Sequence, residues 1–355
     1  MKVIVAESAG FCYGVKRAVE LAEQAAAAGS PCQMLGPIIH NEHVVRNLAQ
    51  AGIPCAAEPE EIPAGSTAII RSHGESREVY QRLERGGVNI LDATCPNVAR
   101  IHQLVENAGA RGRLPVIVGS RRHPEVVATA GWCRSALIVE SAEEFGRWLE
   151  EKTDRKQFPL TLVSQTTSTK EIWESAVKKA KKECTNAEIF DTICNATYNR
   201  QREALSLAKQ CDVMIVIGDR QSSNTRHLAE LCRENCDRVI WIESADELSI
   251  QEFADVASVG ITAGASTPGW IIKEVKNKMS EERFEIEESF AEMLEKSIKT
   301  LNTGDKVVGV VVNVTSTEIQ VDLGTKHAGY IKQEEYSDDP SVKLEDVVKV
   351  GDEIE

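Results

Sequence analysis

The sequence predicts an α/β protein built on parallel sheets, followed by a small, incomplete β-barrel. Over residues 1–280, short β-branched runs alternate with stretches of helical spacing, the pattern of βαβ units. From Gly304 onward the helical spacing stops and strands punctuated by glycine take over. Between the two, residues 281–300 are acidic, with Phe284, Ile286, Phe290, Leu294 and Ile298 interspersed, and read as a linker with helical potential.

Taken in order, strands are expected at 3–5, 67–70, 88–91, 116–118, 136–139, 160–163, 213–217, 239–242 and 256–261, where apolar and β-branched residues run together. Helical spacing separates them, as in Val15, Val19, Leu21 and Ala22, or Leu205, Leu207 and Ala208. These strands could form one large sheet or several small ones, and periodicity does not choose. Further on, strands are expected at 306–313, 318–323 and 328–331, with glycines at 309, 324 and 329. Another should begin near Gly351-Asp352-Glu353-Ile354-Glu355, so the barrel is expected to lack its last strands as given.

Composition excludes several classes. The 355 residues, 42% apolar and 27% charged, suit a soluble protein with more than one buried core. No run approaches the ~20 apolar residues of a membrane helix. Met1-Lys2-Val3-Ile4-Val5-Ala6-Glu7 meets an acid before a signal-peptide core could form, so the expected location is cytoplasmic, with no membrane partner. Residues 281–355 hold 19 acids and 8 bases, so −11 of the net charge of −14 lies there. That balance opposes broad binding to a phosphate backbone but leaves room for a small anion.

Ten cysteines, none in a Cys-x-x-Cys pair, weaken zinc ribbons, thioredoxin chemistry and closely spaced ferredoxin ligand runs. Any metal site must be assembled from distant segments. Cys12, Cys95 and Cys194 each follow an expected strand and precede an expected helix, the last two within Asp-x-x-Cys. Pro96 suits the first helical position and puts Cys95 at the cap. A thiol there is acidified by the helix dipole, and the thiolate is the metal-binding form. The plain alternative is that free cysteines are small buried apolar residues, which is the reading adopted for the other seven. Cys232 and Cys236, at i, i+4, are assigned to helix packing.

His40, His73 and His123 follow strands or apolar runs, Ser222-Ser223-Asn224 opens a helix, and Ala263 to Gly269 precedes another. Helix N-termini after strands present N–H groups and hydroxyls to phosphate oxygens. Against this, Ser-Ser-Asn is more often a simple N-cap, and a loop histidine more often a surface group. Neither a Walker A sequence nor Gly-x-Gly-x-x-Gly is present. The other histidines, 43, 102, 227 and 327, carry no assigned role.

Phe11-Cys12-Tyr13-Gly14-Val15-Lys16-Arg17-Ala18, His40-Asn41, Ser72-His73-Gly74, Asp92-Ala93-Thr94-Cys95-Pro96, His123-Pro124-Glu125, Ser164-Gln165-Thr166-Thr167, Asp191-Thr192-Ile193-Cys194, Ser222-Ser223-Asn224-Thr225 and Thr262-Ala263-Gly264-Ala265-Ser266 together resemble the IspH/LytB family of 4-hydroxy-3-methylbut-2-enyl diphosphate reductases. The resemblance runs in order through residues 1–280. It implies three similar α/β lobes, about 1–95, 96–193 and 194–280, around a central 4Fe-4S cluster held by Cys12, Cys95 and Cys194, with one iron left open. It implies reductive removal of an allylic hydroxyl with two electrons and two protons, yielding isopentenyl and dimethylallyl diphosphate, the last step of the non-mevalonate (MEP) pathway. Glu125 would supply protons and Thr166 would orient the hydroxyl. His40, His73, His123, Ser222, Ser223, Asn224 and Ser266 would hold the diphosphate, and a ferredoxin or flavodoxin would deliver electrons. Arg121 and Arg122 depart from the family's usual Gly or Lys before the histidine, and their role is open.

Residues 301–355 resemble the ribosomal protein S-one type RNA-binding OB repeat, through Gly304 to Val311, Val321-Asp322-Leu323-Gly324, Gly329-Tyr330-Ile331 and Val350-Gly351-Asp352. With 5 bases against 12 acids and Tyr330 as the clear stacking candidate, strong RNA affinity is not expected. Two other readings stand beside the reductase: an RNA-binding or translation-associated protein, and a metal-dependent phosphoester hydrolase built on the histidines.

Overall fold

The computed structural model describes residues 1–151, 153–249, 253, 255–280, 306–315, 318–323, 328–337 and 344–354. The chain divides into two compact units, Met1–Met279 and Ser280–Glu355. The expected linker, 281–300, lies outside the described residues.

The first unit holds three four-stranded sheets, every strand pairing parallel to its neighbours. Its elements run β1 (Lys2–Val5), α1 (Tyr13–Ala27), β2 (Cys32–Leu35), α2 (Glu42–Gln50), β3 (Cys55–Ala56), β4 (Thr67–Ile70), α3 (Arg77–Arg85), β5 (Asn89–Asp92) and α4 (Pro96–Ala110). There follow β6 (Leu114–Val118), α5 (Pro124–Ala130), β7 (Leu137–Val139), α6 (Ala142–Glu150), β8 (Leu160–Ser164), α7 (Lys170–Glu183), β9 (Ala187–Ile189) and α8 (Asn195–Ala208). The unit closes with β10 (Val213–Ile217), α9 (Ser223–Arg233), β11 (Val239–Ile242), β12 (Ser258–Ala263) and α10 (Gly269–Ser280).

The three sheets share one order. They read β3-β2-β4-β5, β7-β6-β8-β9 and β11-β10-β12-β1. In the third, the fourth position is filled by the N-terminal strand, Lys2 to Val5 lying beside Ser258 to Ile261. The expected first lobe, about 1–95, is corrected accordingly: its opening strand belongs to the sheet of the third.

Continuous apolar runs form the central strands because both faces of each sheet are covered. In β10, Val213, Ile215 and Ile217 pack on one side with Val259, Ile261, Ile271 and Val275. Met214 and Val216 pack on the other with Ala204, Leu228 and Cys232. The period-2 alternation of the pleat thus feeds two apolar layers per sheet. Of the cysteines expected in the core, Cys32, Cys211 and Cys232 are buried and Cys133, Cys184 and Cys236 half-buried, but Cys55 is exposed on the two-residue edge strand β3.

The second unit is an antiparallel sheet in the order β15-β14-β13-β16, formed by β13 (Gly309–Val314), β14 (Glu318–Asp322), β15 (Ala328–Lys332) and β16 (Glu353–Ile354). The ladder of β13 and β14 shifts between Val311 and Asn313, a bulge of the kind that curls small barrels. Val311, Ile319, Val321, Leu344 and Val348 make its core. This is a partial OB-type sheet. Two four-residue helices, α11 (Gln333–Tyr336) and α12 (Leu344–Val347), interrupt a segment expected to be strands alone.

Candidate active site

The shared strand order places the site. In the first two sheets the chain leaves the first and third strands of the lobe toward opposite edges, in the third the N-terminal β1 takes the edge beside β12, and in each a crevice opens beyond the carboxyl ends of the central pair. His40 follows β2 and His73 follows β4, His123 follows β6 and Thr166 follows β8, and Ser222 follows β10 and Ser266 follows β12. The fourth strands, β1, β5 and β9, lead to Cys12, Cys95 and Cys194. One open cavity of about 680 Å³ is lined by all twelve sequence-predicted site residues: Cys12, His40, His73, Cys95, His123, Glu125, Thr166, Cys194, Ser222, Ser223, Asn224 and Ser266.

The three cysteines are equivalent in detail. Cys12 is the N-cap of α1, Cys95 of α4 and Cys194 of α8. Each donates its backbone N–H to the loop after the third strand of its own sheet: Cys12 to the Ala265 carbonyl (3.1 Å), Cys95 to that of Ser72 (3.0 Å) and Cys194 to that of Thr166 (3.0 Å). None of the three thiols is spent as a capping acceptor. Burial raises the pKa of Cys95, and the neighbouring thiolates of Cys12 and Cys194 raise it further, against backbone N–H groups of Asn97 and Val98 that lower it. The Cys95 thiol therefore resists ionisation unless a cation joins it, which is the behaviour of a thiolate metal ligand.

Two further contacts fit that reading. The Asn97 side-chain amide donates to Cys194 Sγ (3.3 Å). A Cβ on Gly14, in the first turn of α1, would fall 2.4 Å from Cys95 Sγ, so the close approach of helix and thiol requires glycine there. Three soft thiol donors suit an iron–sulfur or other thiophilic centre better than a hard cation.

Beside the thiols sits a buried acid. Glu125 is 2% exposed. Its Oε1 accepts from the Thr166 backbone N–H and its Oε2 from the Thr166 hydroxyl, both at 2.6 Å. Burial outweighs these bonds and lifts its pKa from an ordinary 4.5 to about 7, the range of a working general acid.

The imidazoles of His40, His73 and His123 have ring centroids 4.5–5.6 Å apart. His123 Nδ1 accepts from the Glu125 N–H (3.2 Å), which leaves Nε2 to carry the proton. Desolvation lowers the pKa of all three, taking His123 to about 3, and the Arg71 guanidinium adds to the effect. Across the cavity, Ser266 Oγ and both polar side-chain atoms of Asn224 are buried without a partner, as are His40 Nε2 and His73 Nδ1. Ring nitrogens within 4.8 Å of one another could ligate a metal ion. The hydroxyls and amide opposite them favour an anion, because buried donors left unpaired are costly and phosphate oxygens satisfy them.

Several residues near the site carried no assigned role. Arg71, paired with Glu75 at 2.6 Å, is the fixed cation beside the histidines. His227 donates Nδ1–H to the Thr167 carbonyl (2.8 Å), joining the loop after β8 to α9. Thr167 Oγ1 and the Gln165 amide both reach Ser223 Oγ (3.1 and 3.4 Å). His102 is buried and stacks on Trp132, while His43 meets Trp270 edge-on. His327 lies outside the described residues. Arg121 forms an ion pair with Glu144, and Arg122 is exposed.

Residues 3–280 match the family model described as LytB protein, and residues 300–355 that described as S1 RNA binding domain. A relative from Clostridium tetani named 4-hydroxy-3-methylbut-2-enyl diphosphate reductase is 39% identical over 99% of this chain, which spans only 55% of that protein's length. One of the same name from Caldanaerobacter subterraneus subsp. tengcongensis is 41% identical over 79% of this chain and 96% of its own. A solved structure of (E)-4-hydroxy-3-methyl-but-2-enyl diphosphate reductase, the terminal enzyme of the non-mevalonate pathway, matches at 40% identity and TM-score 0.59, covering 79% of this chain and all of that one. The corresponding Plasmodium falciparum reductase matches at 26% identity and TM-score 0.73, over 78% of this chain and 87% of that one. Among the described residues, no helix is long and apolar enough to cross a membrane.

Proposed function

The chain belongs to the LytB protein family, and from that membership we propose that it reduces 4-hydroxy-3-methylbut-2-enyl diphosphate to isopentenyl and dimethylallyl diphosphate, the last step of the non-mevalonate (MEP) pathway. The observation that carries the reading is the convergence, in one cavity, of three thiols at helix N-termini, a buried acid and a set of unpartnered polar groups. Cys12, Cys95 and Cys194 would hold a 4Fe-4S cluster, one thiolate short of full cysteine ligation. When bound, the cluster supplies the electrons and a Lewis acid, with a small reduced protein such as a ferredoxin or flavodoxin as their source.

The chain's own residues do the rest. His40, His73, His123, Ser222, Ser223, Asn224 and Ser266 bind the diphosphate and fix the substrate's polar end. Glu125, protonated near neutral pH, donates a proton toward the departing hydroxyl, and Thr166 holds the carboxyl through both of its oxygens. Burial of Glu125 keeps competing water from its proton. The test is anaerobic turnover of the allylic diphosphate with a chemically reduced viologen. Formation of both five-carbon diphosphates supports the proposal, and absence of turnover in iron-replete protein opposes it.

For residues 300–355 the S1 match favours RNA contact only weakly, because 12 acids stand against 5 bases over 301–355. An RNA-binding function would show as affinity that falls with salt, and a zinc hydrolase as one equivalent of zinc with phosphate release.

A further inference from the structure

Arg200 is the sixth residue of α8, after the N-cap Cys194, and is 4% exposed. Its Nη1 donates to the Ala196 carbonyl (3.0 Å) and its Nη2 to the Gly10 carbonyl (2.6 Å), two residues ahead of Cys12. Its Nε has no partner. Among the described residues, it takes part in no ion pair. The nearby Glu203 is engaged by the N–H groups of Glu7 and Ser8 and by the Ser8 hydroxyl. A guanidinium taken out of water needs a counter-charge. The anions that act on it are, in order, Cys12, Cys194 and Glu203.

We propose that Arg200 is a positioning residue for the three-thiol centre: its fixed positive charge balances the thiolates of Cys12 and Cys194, and its fork ties the loop before Cys12 to the helix that Cys194 caps. Two of the three lobes' thiols are thereby held through one side chain, even though Gly10 and Arg200 lie far apart in sequence. The inference rests on the three-thiolate cluster reading above. A cation held beside a redox centre stabilises its more negative, reduced form, so Arg200 raises the centre's reduction potential.

The test uses the full chain, purified and reconstituted anaerobically, as wild type, Arg200→Lys and Arg200→Gln. Iron and acid-labile sulfide are measured first, then the reduction potential by a redox titration followed by electron paramagnetic resonance. The expected result is equal cluster content in all three, a potential near wild type in the lysine variant, and a more negative potential in the glutamine variant. An unchanged potential in Arg200→Gln at equal cluster content overturns the proposal. If Arg200→Gln holds no cluster while its apo form melts like wild type, recovery of the cluster in Arg200→Lys supports the charge role. Loss of the cluster in both variants, with apo melting temperatures lowered alike, reduces Arg200 to a packing residue and also overturns it. A wild type without iron and sulfide would instead fail the cluster reading itself.

Discussion

Glu125→Gln separates two properties of one buried group, its proton and its shape. The amide keeps the shape: its oxygen accepts the Thr166 N–H as Oε1 does, while its nitrogen, which cannot accept from the Thr166 hydroxyl as Oε2 does, donates to that hydroxyl instead. What it lacks is a proton to give. Removing a positioned general acid costs roughly 10²–10⁴-fold in turnover, and the same loss is expected here at unchanged iron content and substrate affinity. In the wild type, turnover should fall as pH rises through about 7, because the protonated carboxyl is the active form.

The stability of the substrate-free chain moves the same way. The folded carboxyl holds its proton up to about pH 7 while an unfolded one releases it near 4.5, so the unfolded state gains as pH rises between those values. The pKa gap corresponds to about 3 kcal/mol of stability, fully present below pH 4.5 and lost above pH 7. Glu125→Gln, neutral throughout, should match the wild type in denaturant melts near pH 4.5 and exceed it near pH 8. Parallel stability curves would refute the buried-acid argument, and near-normal turnover would remove Glu125 from the mechanism.

Gly14→Ala should lose iron and sulfide although alanine favours a helix by about 1 kcal/mol, because the new methyl would meet Cys95 Sγ; metal analysis beside a circular dichroism melt checks both halves. Thr166→Val deletes a hydroxyl that lowers the Glu125 pKa, so the descending limb of the rate profile should move to higher pH, read from turnover across pH 6–9, on the order of the range around that pKa. Asn224→Ala removes two buried unpartnered atoms, so the substrate-free chain should gain up to ~1–3 kcal/mol in melts while KM for the diphosphate rises. An Asn224→Ala variant with unchanged KM would take Asn224 out of the anion site.

Much of this architecture is written locally. β10 and β11 coincide with the apolar runs at 213–217 and 239–242, since both faces of their sheet are covered and the runs are continuous. β2, β3 and β9 carry no local strand signal, because Cys-Gln-Met-Leu, Cys-Ala and Ala-Glu-Ile lack a β-branched run, and parallel neighbours make them strands. The pairing of β1 with β12 joins the ends of the first unit, and no local pattern encodes so long a connection.

The site shows the same division. Cys12, Cys95 and Cys194 were legible because their strand–cysteine–helix setting recurs three times, and the matching N–H bonds to Ala265, Ser72 and Thr166 are the tertiary counterpart of that recurrence. Arg200 and His227 were not, since on sequence spacing alone each is another polar residue of an amphipathic helix. Only the approach of the Gly10 and Thr167 carbonyls gives them partners.

The central claim is that three lobes lend one thiolate each to a single iron–sulfur centre. Iron and acid-labile sulfide in the anaerobically purified chain, set against Cys95→Ser, test it directly. The account predicts about four iron and four sulfide per wild-type chain, lost in the variant with the fold intact. A wild type that holds neither after reconstitution, or a Cys95→Ser chain that keeps both, would contradict it.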